Sequence, residues 1–166
     1  MTNRKLVAIK LHLKALNETT SAKLGGSLTA LRDAYTQAIS FHFVLAHRAF
    51  LQEVASDYQI SGLKTEDFVH LENLLSESGV VSQQCTMMAC LEAEQGSWLQ
   101  WVLELNKQYW QLNPSLEIVE NVASAKATNS IAFDDVTYSA VGSRLQNSFD
   151  CLQDAVHQYR ELMQEW

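Results

Sequence analysis

Few residues of this chain have the type and spacing to do chemistry. His42 lies on an apolar stripe between Ala38 and Leu45, and a titratable ring at such a position points to a small buried polar pocket. Glu53 follows eleven residues later and faces the same way at 100° per residue. It stands about 16 Å further along the axis, too far for a direct bond. A ligand-holding or proton-transferring His42 therefore needs a partner from another helix, and Asn3, His12 and Tyr109 are the candidates. The plainer alternative is a core histidine whose ring nitrogens are satisfied locally.

Other chemistries find less support. Asp67-Phe-Val-His70 and Asp154-Ala-Val-His157 have the acid–histidine spacing of di-metal helical bundles. Each pair should face away from the apolar stripe of its own helix, where it cannot build a site in a bundle core. HExxH, G-x-S-x-G and the phosphate-binding G-x-x-x-x-G-K-[ST] do not occur. The three cysteines, Cys85, Cys90 and Cys151, form no CxxC pair and read as reduced thiols in small apolar roles. The sequence thus assigns no catalytic residue, no metal ligand and no cofactor.

The elements that would position these residues read as helices almost throughout. One proline and six glycines in 166 residues leave few breaks. Leu6, Ile9, Leu13 and Leu16 predict a first helix over 2–18, with Val7 and Leu11 as a second apolar flank able to touch another neighbour. A second helix is predicted over 28–60, its stripe running through Leu31, Tyr35, Ala38, His42 and Leu45 and widened by Ile39, Phe43, Ala46, Phe50 and Val54. It should end at Ser61-Gly62. Thr65 should cap a third helix that stops at Gly79, Ser82 a fourth that ends at Gly96, and Ser97 a fifth that stops before Pro114. Trp98, Val102, Leu105, Tyr109 and Leu112 should face inward on the fifth. Residues 113–135 read as an irregular strap, with a strand pair at 117–122 and 129–133 as the minority reading. A sixth helix fills 137–166, where Leu145, Phe149, Leu152, Val156, Tyr159, Met163 and Trp166 alternate steps of four and three. That seam suits either the chain's own bundle or a second copy.

The expected fold is one all-α domain over 1–166, an antiparallel bundle of about six helices, two of them long. Twelve basic against nineteen acidic residues give a net charge of −7, unsuited to generic nucleic-acid binding, which rests on phosphate contacts. The charge is unevenly laid out. Arg4, Lys5, Lys10, Lys14 and Lys23 precede residue 24 against Glu18 alone, so a basic first helix sits on an acidic body. No apolar run is long enough to span a membrane, and the N-terminal segment, broken by Lys10, His12 and Lys14, is no signal peptide. The expected location is cytoplasmic. Trp98, Trp101 and Trp110 share the fifth helix and cannot all face one way, so at least one indole should lie on a rim or a partner surface.

Three stretches carry a family resemblance: Thr2-Asn3-Arg4-Lys5-Leu6; Ala38-Ile39-Ser40-Phe41-His42 with Glu53, Ala55 and Tyr58 downstream; and Tyr159-Arg160-Glu161-Leu162-Met163-Gln164-Glu165-Trp166. Together with Ser97-Trp98-Leu99, they resemble a family of small all-helical gammaproteobacterial proteins that is a domain of unknown function. The chain departs from that pattern in the 113–135 strap, which in relatives is richer in proline and lysine, and at His47 and Arg48, which replace apolar residues. The resemblance implies a soluble bacterial helical protein and brings no activity with it. The expectation for function is a non-enzymatic interaction or scaffold protein with a protein partner, possible self-association through helix six or five, and no nucleic acid. The alternative is a small-ligand-binding or enzymatic bundle with a pocket near His42.

Overall fold

In the computed structural model, the described residues are 1–21, 27–60, 67–111 and 135–164. They form six α-helices: α1 (Thr2–Ser21), α2 (Ser27–Asp57), α3 (Phe68–Glu77), α4 (Gln83–Ala93), α5 (Trp98–Gln111) and α6 (Asp135–Gln164). The strap, the strand-pair alternative, Thr65, Leu112, Ser61-Gly62 and Trp166 lie outside the described residues.

Helices α1, α2, α5 and α6 build the main bundle. α1 lies antiparallel on α2, since Thr2 at its start reaches Glu53 near the end of α2, and the Arg32 guanidinium at the start of α2 donates to the Thr19 carbonyl at 3.2 Å. α1 is also antiparallel to α6: Asn3 meets Arg160, and Gly142 faces Leu16 and Asn17. The predicted stripe of α1 is fully buried at Ile9, Leu13 and Leu16. The seam of α6 from Leu145 to Tyr159 is buried within the same chain, and Met163 packs against its edge. The seam is therefore filled mainly by neighbours within the same chain. Helices α3 and α4 form a hairpin packed on α2 and α5, where Phe68 stacks edge-wise on His47 at 5.4 Å and packs on Phe50 at 5.6 Å.

Several expectations need correcting. α1 does pack on two neighbours, α2 and α6, but Val7 and Leu11 are 57% and 63% exposed, lining an open groove beside α6. On α2, the most buried line runs Thr36, Ile39, Ser40, Phe43, Ala46, His47, Phe50 and Val54, while Leu31 is exposed and Tyr35, Ala38, His42 and Leu45 lie on its flank. The helix carries apolar residues on so much of its circumference that two stripes fit the spacing. Tertiary contact with α1, α5 and α6 selects the one centred on Phe43 and Phe50.

The end of α2 also comes earlier, at Asp57. Gln59 adopts the left-handed conformation (φ 58°), its amide bonds the Ser56 carbonyl at 2.9 Å, and the Ile60 amide reaches back to Ala55 at 2.8 Å. These paired bonds close the last turn and seat Ile60 against the core. Asp67, not Thr65, caps α3, its side chain accepting from the His70 amide at 2.8 Å. Ser82 and Ser97 cap α4 and α5 as expected. Gly79 ends α3 in the left-handed conformation (φ 74°), and α4 stops at Ala93, short of Gly96.

Candidate functional site

The fold brings His12 of α1 onto His42. The two rings stack with centroids 5.3 Å apart and planes 13° off parallel, and Tyr35 flanks His12 at 6.1 Å. Of the three partners considered for His42, the structure supplies His12 and neither Asn3 nor Tyr109. His42 is half-buried, with Nδ1 enclosed and without a hydrogen-bond partner. Burial, then the neighbouring His12 and Lys5, hold its pKa below the ordinary 6.5. Tyr109 sits elsewhere, on the α2–α5 seam near Thr36 and Asp33, where burial pushes its phenol up to about 12.

Glu53 and Asn3 belong to a separate cluster at the other end of α1. Arg160 forks onto Glu53, Nε to Oε1 at 2.5 Å and Nη2 to Oε2 at 2.8 Å, and its Nη1 donates to Asn3 Oδ1 at 2.7 Å. The Thr2 hydroxyl donates to Glu53 Oε2 at 2.8 Å, and one turn on, the Tyr159 hydroxyl donates to Asp57 at 2.8 Å. The Arg160 guanidinium, helped by Thr2, holds the Glu53 carboxyl below its ordinary range. Among the described residues, these side-chain contacts run from one member of the cluster to another, which is the pattern of a structural clamp. It joins the three stretches that carry the family resemblance, since Thr2 and Asn3, Glu53, and Tyr159 and Arg160 come one set from each.

A feature the sequence reading passed over is His47. It is 2% exposed on the buried line of α2, and its Nε2 lies 2.6 Å from Glu92 Oε1 near the end of α4. The two atoms are close but out of line, so neither has a hydrogen bond of good geometry. The other oxygen of Glu92 accepts from the Phe68 amide at 2.7 Å and the Val69 amide at 3.3 Å, completing the N-terminal cap of α3. A cavity of about 510 Å³ opens above this pair, its walls including Val44, Asp67, Leu103 and Lys107. The buried polar pair at a cavity thus lies at His47, five residues beyond His42 and on a different face of α2. A histidine four residues after Phe43 and three before Phe50 sits on the same helical line as both. That spacing was a usable signal, hidden because His47 read only as a departure from an apolar pattern.

The three indoles of α5 divide as their spacing requires. Trp98 packs edge-on to Phe43 at 6.0 Å, and Trp101 lies under the Arg144 guanidinium at 4.2 Å. Trp110 is 61% exposed and has Phe41 at 6.4 Å. Asp67, His70, Asp154 and His157 are all exposed, as expected for groups facing away from the core. Among the described residues, no three histidines, cysteines or acids gather as metal ligands. Cys85 is buried, Cys90 exposed and Cys151 intermediate, and all three are free thiols.

An open groove of about 930 Å³ lies between α1 and α6. Val7, Leu11 and Phe149 supply its apolar surface, Lys10, Lys14 and Glu18 the charges on the α1 side, and Asp150 that on the α6 side. No helix among the described residues is long and apolar enough to cross a membrane.

The chain belongs to a family of unknown function, DUF6586, whose family model matches residues 1–166. No curated protein and no solved structure matches it.

Proposed function

We propose that the chain is a non-enzymatic interaction protein of the bacterial cytoplasm. One observation carries this reading: the outer face of α1 presents Val7 and Leu11 to solvent beside Lys10 and Lys14, over an open groove. Exposed aliphatic residues rimmed by charge are the composition of a contact surface. The Glu53–Arg160 cluster supports the same reading, because its ionisable groups are engaged with one another. The test is a photo-crosslinking side chain placed at Leu11 in the native cell, with one at exposed Gln52 of α2 as control. The expected result is a discrete crosslinked species from position 11 and none from position 52. Absence of any species from position 11 refutes the proposal.

A second reading takes the cavity at His47 as a binding site for a small polar ligand. Its support is the out-of-line pair His47–Glu92, whose atoms could each complete a hydrogen bond with a ligand hydroxyl or amide. A thermal-shift panel of small polyols and amides tests it. A compound that raises the melting temperature of the wild type but not of His47→Leu supports it, and equal shifts in both refute it.

A further inference from the structure

We propose that the α1–α6 groove is the contact face of a homodimer whose two-fold axis runs along the groove. The proposal rests on the interaction reading above and names its partner as a second copy of this chain.

The face has the right size and chemistry. α1 is 20 residues, about 30 Å long, and a face two helices wide is about 20 Å across. That approaches the surface each partner contributes to a standard interface, about 800 Å². Its centre is apolar, with Val7 and Leu11 exposed above Phe149.

The charges set the orientation. Lys10 and Lys14 stand on the α1 edge, with Asp150 across the groove on α6. A two-fold axis parallel to the helices preserves height along them while exchanging the two edges. The α1 of one copy then lies over the α6 of the other, and Lys10 and Lys14 meet the partner copy's Asp150, twice by symmetry. A two-fold axis across the groove would set lysine against lysine and is disfavoured. The groups are available. Asp150 accepts one bond from Gln146 at 2.9 Å through Oδ1, which leaves Oδ2 open. Lys14 makes an exposed contact with Glu18 at 3.9 Å, a weak surface pair, and Lys10 makes no ion pair among the described residues. A net charge of −7 opposes self-association, and a basic helix placed between the acidic bodies reduces that repulsion.

Sedimentation equilibrium of the full chain from micromolar to millimolar concentration tests this. The expected result is a dimer for the wild type, at least tenfold weaker association for Lys10→Glu/Lys14→Glu and for Asp150→Lys, and recovery to within a few-fold when all three are combined. All three positions are exposed, and recovery by the triple variant excludes misfolding as the cause. A wild type that stays monomeric overturns the proposal, as does a dimer unaffected by the lysine reversals or a triple variant that fails to recover. So does a monomer that floats with phosphatidylserine vesicles, which would assign the face to anionic lipid. A monomeric wild type that still crosslinks to another protein from position 11 removes this inference and leaves the interaction reading standing.

Discussion

Arg160 of α6 closes a two-point fork on Glu53 of α2 across 107 residues of chain, with Thr2 and Asn3 of α1 completing the cluster. Bidentate guanidinium–carboxylate pairs combine charge with fixed geometry, and this one is partly shielded from solvent. Arg160→Ala leaves the Glu53 carboxylate without its main partner and should lower stability by about 1–3 kcal/mol. Glu53→Gln should cost less. A double-mutant cycle by urea denaturation should show a coupling above about 0.5 kcal/mol, and additive effects would show that the fork contributes nothing of its own.

The two groups with depressed pKa act on the same side of the pH scale. His42 is held below 6.5, so the stability it lends is present above 6.5 and lost as the pH falls and the ring must charge inside the fold. Glu53 is held below 4.5, so its contribution is present above 4.5 and lost as the pH falls through its lowered value. Melting temperature should therefore decline in two stages on acidification. His42→Phe should flatten the first stage and Glu53→Gln the second, and a His42→Phe profile parallel to the wild type would exclude the histidine as the source.

Gln59 is the only non-glycine residue with positive φ among the described residues. A side chain in that conformation costs about 1–2 kcal/mol, partly offset by the greater flexibility of glycine in the unfolded chain. Gln59→Gly should stabilise by about 0.5–1 kcal/mol in chemical denaturation. A loss of stability would mean that the turn depends on the glutamine itself.

Glu92 completes the cap of α3, so Glu92→Ala should cost about 1–2 kcal/mol and speed hydrogen exchange at the Phe68 and Val69 amides. Unchanged exchange at those two amides would show that Asp67 suffices alone.

The thiols should separate by environment. Burial, with Glu72 and Glu92 nearby, pushes Cys85 up to about 12, whereas Cys90 is exposed. A thiol-reactive dye at pH 8 should label Cys90 quickly and Cys85 only on unfolding. Rapid labelling of Cys85 would reveal a local opening of the α3–α4 hairpin.

The helices were legible in the sequence because steps of three and four mark α1 and α6 without ambiguity, and serines at 82 and 97 mark two starts. The inner line of α2 was less legible, because apolar residues surround most of its circumference and periodicity cannot choose among faces that tertiary contact separates. The same ambiguity puts His42 at the centre of the stripe and gives His47 no place in the core. Glu92 was invisible for another reason: its partners are the first amides of a different helix, and backbone amides leave no trace in a sequence. The Glu53–Arg160 fork was half visible, since both residues lay in stretches that carry the family resemblance. Nothing in their spacing joins positions 107 apart.

The same arginine also ties the first helix to the last. Asn3 and Arg160 touch at 2.7 Å, so the start of α1 and the end of α6 are neighbours in space. A short flexible linker could connect the start of α1 to the end of α6, and new ends could be opened in the turn at Gly79, between α3 and α4. Such a rewired protein would keep its helix packing while testing whether the order in which the helices are synthesised matters to how they assemble.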